Sequence, residues 1–134
     1  MKRKAALFIV FGIVIAGCAT LSDMNRMDRF NRTANGYRLA IRWSDFDAAE
    51  NYAGNPGHGD DGRRAETPKD VQVISYEVRD IVLSPDLSKV HQAVEIRYYR
   101  LNRMIEKTIR IDESWEYDSD AQRWFLKEGF PRFE

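Results

Sequence analysis

Cysteine is nearly absent from this sequence, because the 134 residues include only one, Cys18. A single cysteine excludes a disulfide within the chain, so the folded part must be stabilised by packing. The sequence also lacks any other thiol that could act as a nucleophile. If Cys18 is itself modified, thiol chemistry is excluded altogether.

An excess of charge of one sign is also lacking, since 21 basic residues balance 21 acidic ones. Three of the basic residues stand together at Lys2, Arg3 and Lys4, and without them 18 remain. Such a mildly acidic remainder is not expected to bind nucleic acid. With 43% hydrophobic and 31% charged residues, the composition is typical of a globular protein, and the length fits one domain.

The first residues have the three-part pattern of an export signal. The cationic start is followed by an uncharged apolar run from Ala5 to Ala16, and then by Gly17-Cys18. A permanent membrane helix needs about 20 apolar residues, and this run is shorter. We therefore predict that residues 1–17 are a signal peptide that is removed; an uncleaved signal anchor is the alternative.

The segment Val14-Ile15-Ala16-Gly17-Cys18 resembles the lipobox of bacterial lipoproteins, in which small and aliphatic residues precede an obligatory cysteine. The resemblance implies that Cys18 is lipidated, becomes the mature N-terminus and holds the protein to a membrane of the cell envelope. Ala19 implies delivery to the outer membrane, facing the periplasm, if the host is Gram-negative. Residues 18–30 would then be a tether or the start of a helix.

Two helices are predicted next. Apolar residues recur at steps of three and four and indicate an amphipathic helix from Leu21 to about Trp43, which Gly36 could interrupt. The segment Ser44-Asp45-Phe46-Asp47 has the form of a capping box and predicts a short helix from about Asp45 to Tyr52. The repeating apolar residues of the first helix are Met24, Met27, Phe30, Ala34, Tyr37 and Ile41.

Residues 53–70 contain four glycines and two prolines and no apolar period, which predicts a flexible loop. His58, Asp60 and Asp61 cluster within it, and such a group could bind a divalent cation. Their spacing matches no established zinc or calcium pattern, so a solvated loop is the preferred interpretation and no metal or other cofactor is expected.

From Val71 onward the apolar residues alternate, which predicts strands. A bulge between Val73 and Ile74 reconciles two parities in the first strand. The second strand is predicted to start near Lys89, after a Ser84-Pro85-Asp86 turn. A hairpin loop at residues 101–103, a third strand reaching Tyr117 and a short strand at residues 123–126 complete an antiparallel meander. Alternating charge on the outward face predicts cross-strand salt bridges.

The predicted class is α+β, with N-terminal helices packed on a curved four-stranded antiparallel meander sheet in one domain, residues 31–134. From Ala34 to Phe133 this element order, with its aromatic ending, resembles the cone-shaped fold of the nuclear transport factor 2-like superfamily. A cystatin-like helix on a sheet is the alternative. The superfamily resemblance implies a pocket between helices and sheet, whose lining sets the function.

Few polar residues fall on the dry parity of the sheet, and these are the candidates for lining such a pocket. Gln92 and Arg100 share it in the second strand, and Lys107 and Glu113 share it in the third. A Lys107–Glu113 or Arg100–Glu113 pair could bind an anionic ligand. The preferred alternative places them at the rim, because buried charges are rare.

No catalytic residue can be carried over from the superfamily. Asp45 and Asp47 are interpreted as helix caps, and His91 as an exposed side chain. We therefore expect a membrane-anchored, non-enzymatic binding or assembly module with no cofactor. The alternatives are a small-ligand carrier or isomerase-like enzyme, and a structural subunit of an envelope complex.

A protein partner or a second copy could bind through the sheet. Aromatic residues are concentrated near the C-terminus, where closing the core is preferred over anchoring a partner. They are Trp124, Phe125, Phe130 and Phe133.

Overall fold

The structure is a computed structural model that describes residues 5–54, 67–129 and 131–134, with side chains from Leu21 onward. It contains two helices followed by four strands. The elements are α1 (Ala5–Arg42), α2 (Phe46–Glu50), β1 (Val71–Leu83), β2 (Lys89–Arg100), β3 (Glu106–Asp118) and β4 (Arg123–Leu126). Most of the predicted loop at 53–70, with His58, Asp60 and Asp61, lies outside the described residues.

Helix α1 is longer than predicted, and it runs without interruption through Gly36. Of the predicted apolar face, Phe30, Tyr37 and Ile41 are buried, while Ala34 and Met27 are partly buried against the core. Gly36 does not interrupt the helix but allows Tyr52 to pack closely against it, because a Cβ at position 36 would lie 2.5 Å from the hydroxyl oxygen of Tyr52. Within the part of the chain that the structure describes, no helix has the length and apolar character of a membrane span.

The junction between the helices differs from the predicted capping box. Asp45, rather than Ser44, caps α2, since its side chain accepts from the backbone N–H of Ala48 at 3.1 Å. Ser44 adopts the left-handed conformation, with φ at 58°, and its hydroxyl accepts from the backbone N–H of Val73 at 2.8 Å. Ser44 therefore joins the end of α1 to β1, a long-range role that local spacing does not reveal.

The four strands form an antiparallel meander in the order β1-β2-β3-β4, as predicted. The pairing of β1 with β2 shifts register between Val73 and Ser75, which confirms the predicted bulge. A second shift, between Val78 and Asp80, was not predicted. The hairpin turn at 101–103 and the short closing strand are also confirmed.

The core lies between α1 and one face of the sheet. The predicted dry parity of β2 is confirmed, since Val90, Val94, Ile96 and Tyr98 are all buried. The aromatic C-terminus closes this core: Trp124 and Phe133 belong to the core cluster, and Phe125 is buried too. Phe130 lies outside the described residues.

The outward face carries the predicted salt bridges. Glu95 lies between Arg79 at 2.9 Å and Arg110 at 3.1 Å, and Arg97 pairs with Glu106 at 3.2 Å. Hydrogen bonds from Arg79 and Arg110 and the charges of both hold the pKa of Glu95 below its usual value. These exposed pairs account for the alternating charge of this face as cross-strand pairing.

Candidate functional site

The four polar residues that share the dry parity separate into two pairs. Gln92 and Glu113 are direct cross-strand partners and are only 7% and 2% exposed. Arg100 and Lys107 lie at the opposite end of the same strands, where Arg100 is partly exposed and Lys107 is exposed. Neither Arg100 nor Lys107 pairs with Glu113 in the described structure; each has a different partner.

Glu113 is the centre of the buried pair, and it does not reach the rim. The Tyr76 hydroxyl lies 2.8 and 2.7 Å from the two carboxylate oxygens, and the indole N–H of Trp115 donates at 3.4 Å. Burial raises the pKa of Glu113 to about 7, with a smaller contribution from the charge of Glu128, against the lowering effect of the two hydrogen bonds. The carboxyl group therefore stays protonated to a higher pH than an exposed glutamate does.

Tyr37 covers this carboxyl group from α1. Its ring makes edge contacts with Trp115 at 5.4 Å, with Tyr52 at 6.0 Å and with Tyr76 at 6.3 Å between centroids. Its hydroxyl is buried and has no hydrogen-bond partner among the described residues. Burial, and secondarily the charge of Glu113, raise the pKa of Tyr37, so its hydroxyl stays protonated.

The interior set of Glu113, Tyr76, Tyr37 and Trp115 combines an acid of shifted pKa with two phenols, which are the groups of general acid and base chemistry. Its lining is nevertheless dense, because aromatic side chains surround the acid. A cavity of about 170 Å³ beside the set is bordered by Glu113 together with Ile111, Leu126 and Pro131.

Sequence reasoning missed the two tyrosines and Trp115 as functional neighbours because it treated them as apolar core. A signal was present, however. A tyrosine at a buried position usually has a partner for its hydroxyl, and Glu113 is the one acid on the dry parity of the second and third strands. Parity therefore places Tyr76 on the same face as Glu113, but it does not place the two side chains in contact.

The rim pair borders a separate cleft of about 330 Å³. Arg100 donates to both carboxylate oxygens of Asp70, at 2.8 and 2.7 Å, and to the carbonyl of Phe133 at 2.7 Å. Lys107 donates to the backbone oxygen of Glu134 at 2.9 Å. The hydrogen bond from Arg100 holds the pKa of Asp70 below its usual value. These cations therefore fasten the C-terminal residues to the sheet.

A hydroxyl and an imidazole meet on the outward face. The Oγ of Ser114 lies 3.0 Å from Nδ1 of His91, and the backbone N–H of Ser114 donates to Glu128 at 2.8 Å. Nucleophilic catalysis would also need a third group that orients the imidazole. Among the described residues no such group contacts His91, so this pair is a cross-strand hydrogen bond.

No metal centre is formed by the residues that the structure describes, since no group of three or more suitable side chains converges. Asp45 is a helix cap, as expected, and Asp47 accepts from the Thr67 hydroxyl at 3.1 Å. Neither contributes to the interior set.

The fold and the two polar pairs define an α+β protein in which a long helix packs on an open four-stranded antiparallel meander and covers a buried acid. Comparisons of the chain with protein-family models, curated proteins and solved structures give no match.

Proposed function

We propose that this chain is an envelope lipoprotein, held to a membrane by lipid on Cys18, and that it acts as a non-enzymatic binding or assembly module. The cationic start, the short apolar run and the lipobox-like segment support the anchor. We also propose that the domain belongs to the nuclear transport factor 2-like superfamily, which its element order resembles.

One observation carries the binding role: apolar side chains are exposed at the turn between β2 and β3. Leu101, Met104 and Ile105 are all exposed there, beside Arg103. We call residues 101–105 the hairpin tip. Exposed apolar side chains grouped on one turn are typical of a contact surface rather than of a solvated loop. Arg103 borders the cleft behind them and makes no ion pair within the described structure.

The position of the tip suits an anchored binder. The hairpin tip follows the end of β2, which pairs with the start of β1. The C-terminal end of α1 lies at this same end of the sheet, because Arg42 donates to the carbonyl of Val73 near the start of β1. The N-terminal part of α1, which leads to Cys18, lies at the other end of the sheet. The hairpin tip would therefore face away from the membrane.

The packing around Glu113 argues against an enzyme whose site is the interior. Both carboxylate oxygens are engaged by Tyr76, and Tyr37 and Trp115 cover the group. The carrier or enzyme alternative rests on the raised pKa of Glu113 and on the unpartnered Tyr37 hydroxyl, which an entering polar ligand would satisfy. A ligand would have to displace the packing between α1 and the sheet, or enter from the cavity of about 170 Å³ that Glu113 borders.

The anchor is tested by mass spectrometry of the mature protein from membranes. We expect a chain that begins at an acylated Cys18; an intact Met1 or an unmodified cysteine contradicts the anchor.

The binding role is tested by site-specific photo-crosslinking in cells. A photoreactive residue at Met104 should give a discrete adduct in the envelope fraction, and one at Leu39, exposed on α1, should give none. Replacing Leu101 and Ile105 by serine should abolish the adduct without lowering the melting temperature. An unchanged adduct, or robust small-molecule turnover by the purified protein, contradicts the proposal.

A further inference from the structure

Among the residues of α1 whose side chains are described, contacts with the sheet begin at Arg26. The backbone carbonyl of Arg26 accepts from the indole N–H of Trp124 at 3.0 Å, and its guanidinium donates to the carbonyl of Asp86 at 3.1 Å. By contrast, residues 21–25 are all exposed. Toward its N-terminus, the helix therefore leaves the sheet at Arg26 and continues as the same helix.

These contacts also establish which end of the domain the helix leaves. Asp86 lies in the turn between β1 and β2, and Gln122, which accepts from Arg29 at 3.0 Å, lies in the turn before β4. We call this the anchor end. Cys18 precedes Arg26 by eight residues, which at 1.5 Å per residue is about 12 Å of helix.

Large apolar side chains are exposed at the anchor end. Leu21 and Met24 on α1 are 61% and 63% exposed, and Val82 and Leu83, which end β1, are 57% and 44% exposed. Leu83 is three residues from Asp86, so it lies within about 11 Å of the turn that contacts Arg26. We call these four residues the anchor-end patch.

The end of β1 is apolar on both faces of the sheet. Successive strand residues point to opposite faces, so Val82 and Leu83 project to either side. Leu83 pairs with the buried Val90, which places it on the helix side, yet α1 does not cover it. An edge strand that ends in exposed apolar residues needs a covering surface or risks edge-to-edge association.

We propose that the anchor-end patch contacts the lipid bilayer that holds Cys18, so that the domain rests directly on the membrane instead of hanging from a flexible tether. This inference rests on the proposed lipid attachment. A continuous helix of about 12 Å keeps the patch near the headgroups, and attachment makes the patch–bilayer contact intramolecular, so that weak apolar contacts are sufficient. Asp23, Asp28, Arg26 and Arg29 surround the helical part of the patch with mixed charge, so anionic lipid is not required.

The test uses methionine oxidation, since the chain has an internal reference. Met104 at the hairpin tip is 70% exposed, and Val82 at the anchor end is 57% exposed. The acylated Val82→Met protein is placed on vesicles of phosphatidylethanolamine and phosphatidylglycerol and treated with hydrogen peroxide. We expect the thioether introduced at position 82 to be oxidised severalfold more slowly than Met104.

A matched variant inserts a flexible glycine–serine linker between Ser22 and Asp23 in the same acylated protein. It should bring the two oxidation rates close together, because the domain can then leave the bilayer. Equal rates for the two thioethers without the linker would overturn the contact while leaving the lipid anchor standing. A mass spectrum without an acyl group on Cys18 would overturn both, so the two failures are distinguishable.

Discussion

The two ends of the sheet face beneath α1 differ in how far their polar side chains are exposed. Gln92 and Glu113 are almost inaccessible on the face that α1 covers, whereas on the same parity Arg100 is partly exposed and Lys107 is exposed. Strand parity thus determines the face on which a residue lies. The helix above that face determines whether the residue is buried.

Burial beneath the helix also determines the direction in which the pKa of a carboxyl group shifts. Beneath the helix, burial outweighs two hydrogen bonds and keeps the pKa of Glu113 near 7. At the rim, Asp70 meets a guanidinium in a partly exposed position, and its pKa falls below the usual value. The acid beneath the helix thus stays protonated to a higher pH than usual, whereas the acid at the rim stays charged to a lower pH.

Replacing Trp115 by alanine should have the largest effect, since this side chain is fully buried and contacts Phe30, Tyr37 and Glu113. We expect the free energy of unfolding to fall by about 3–5 kcal/mol, as for other large-to-small core substitutions. Urea unfolding measures it, with Leu101→Ala at the exposed hairpin tip as control. Similar losses for both variants would mean that the two ends are equally packed.

Glu113→Gln should change how stability depends on pH. The folded pKa is raised above the ordinary 4.5 to about 7, so the Glu113 contribution is fully present below pH 4.5 and is lost as pH rises through 7. The loss is on the order of 3 kcal/mol. Glutamine stays neutral, so the variant should lack this decline in urea unfolding between those pH values.

The exposed neighbour Asp112→Asn is the control for this pH series and should keep the wild-type slope. Other carboxyl groups, such as Glu95, have lowered pKa values and act in the opposite direction. The difference between wild type and Glu113→Gln isolates the buried acid. If the two proteins lose stability in parallel, Glu113 is not desolvated.

Gly36→Ala tests how closely α1 approaches Tyr52. Alanine is favoured over glycine in a helix by about 1 kcal/mol, yet its Cβ would lie 2.5 Å from the tyrosine hydroxyl. We expect a net loss of about 1–3 kcal/mol from this overpacking, measured by thermal unfolding. In a Tyr52→Phe background the loss should shrink, because the nearest remaining atom is 3.2 Å away. An equal loss of stability in both backgrounds would mean that the cost does not come from the contact with the Tyr52 hydroxyl.

Substitutions at the rim should have the smallest effect. Arg100→Ala removes the contacts with Asp70 and Phe133, and Lys107→Ala removes one contact with Glu134. Because ion pairs and hydrogen bonds with access to solvent contribute little, we expect both melting temperatures to fall less than that of Gly36→Ala, with Arg100→Ala the lower of the two. A drop at either position comparable to Trp115→Ala would contradict the distinction between the ends.

Much of the fold could be predicted because it depends on local patterns. The spacing of Phe30, Tyr37 and Ile41 predicts the buried face of α1, and the change of parity after Val73 predicts the bulge. The role of Ser44 could not be predicted, since its partner is 29 residues away in β1. The environment of Glu113 was missed for the same reason: it depends on Tyr37 and Tyr76, which only tertiary packing brings together.

The ionisation of Glu113, followed by its side-chain carboxyl ¹³C shift in glutamate-labelled protein, tests the closed interior most directly. Comparison with Glu113→Gln assigns the signal. The structure predicts a midpoint near pH 7, because the carboxyl group is buried beneath Tyr37 and Trp115. A midpoint near 4.5, the ordinary value, would contradict the account, because it would mean that water reaches the acid beneath the helix.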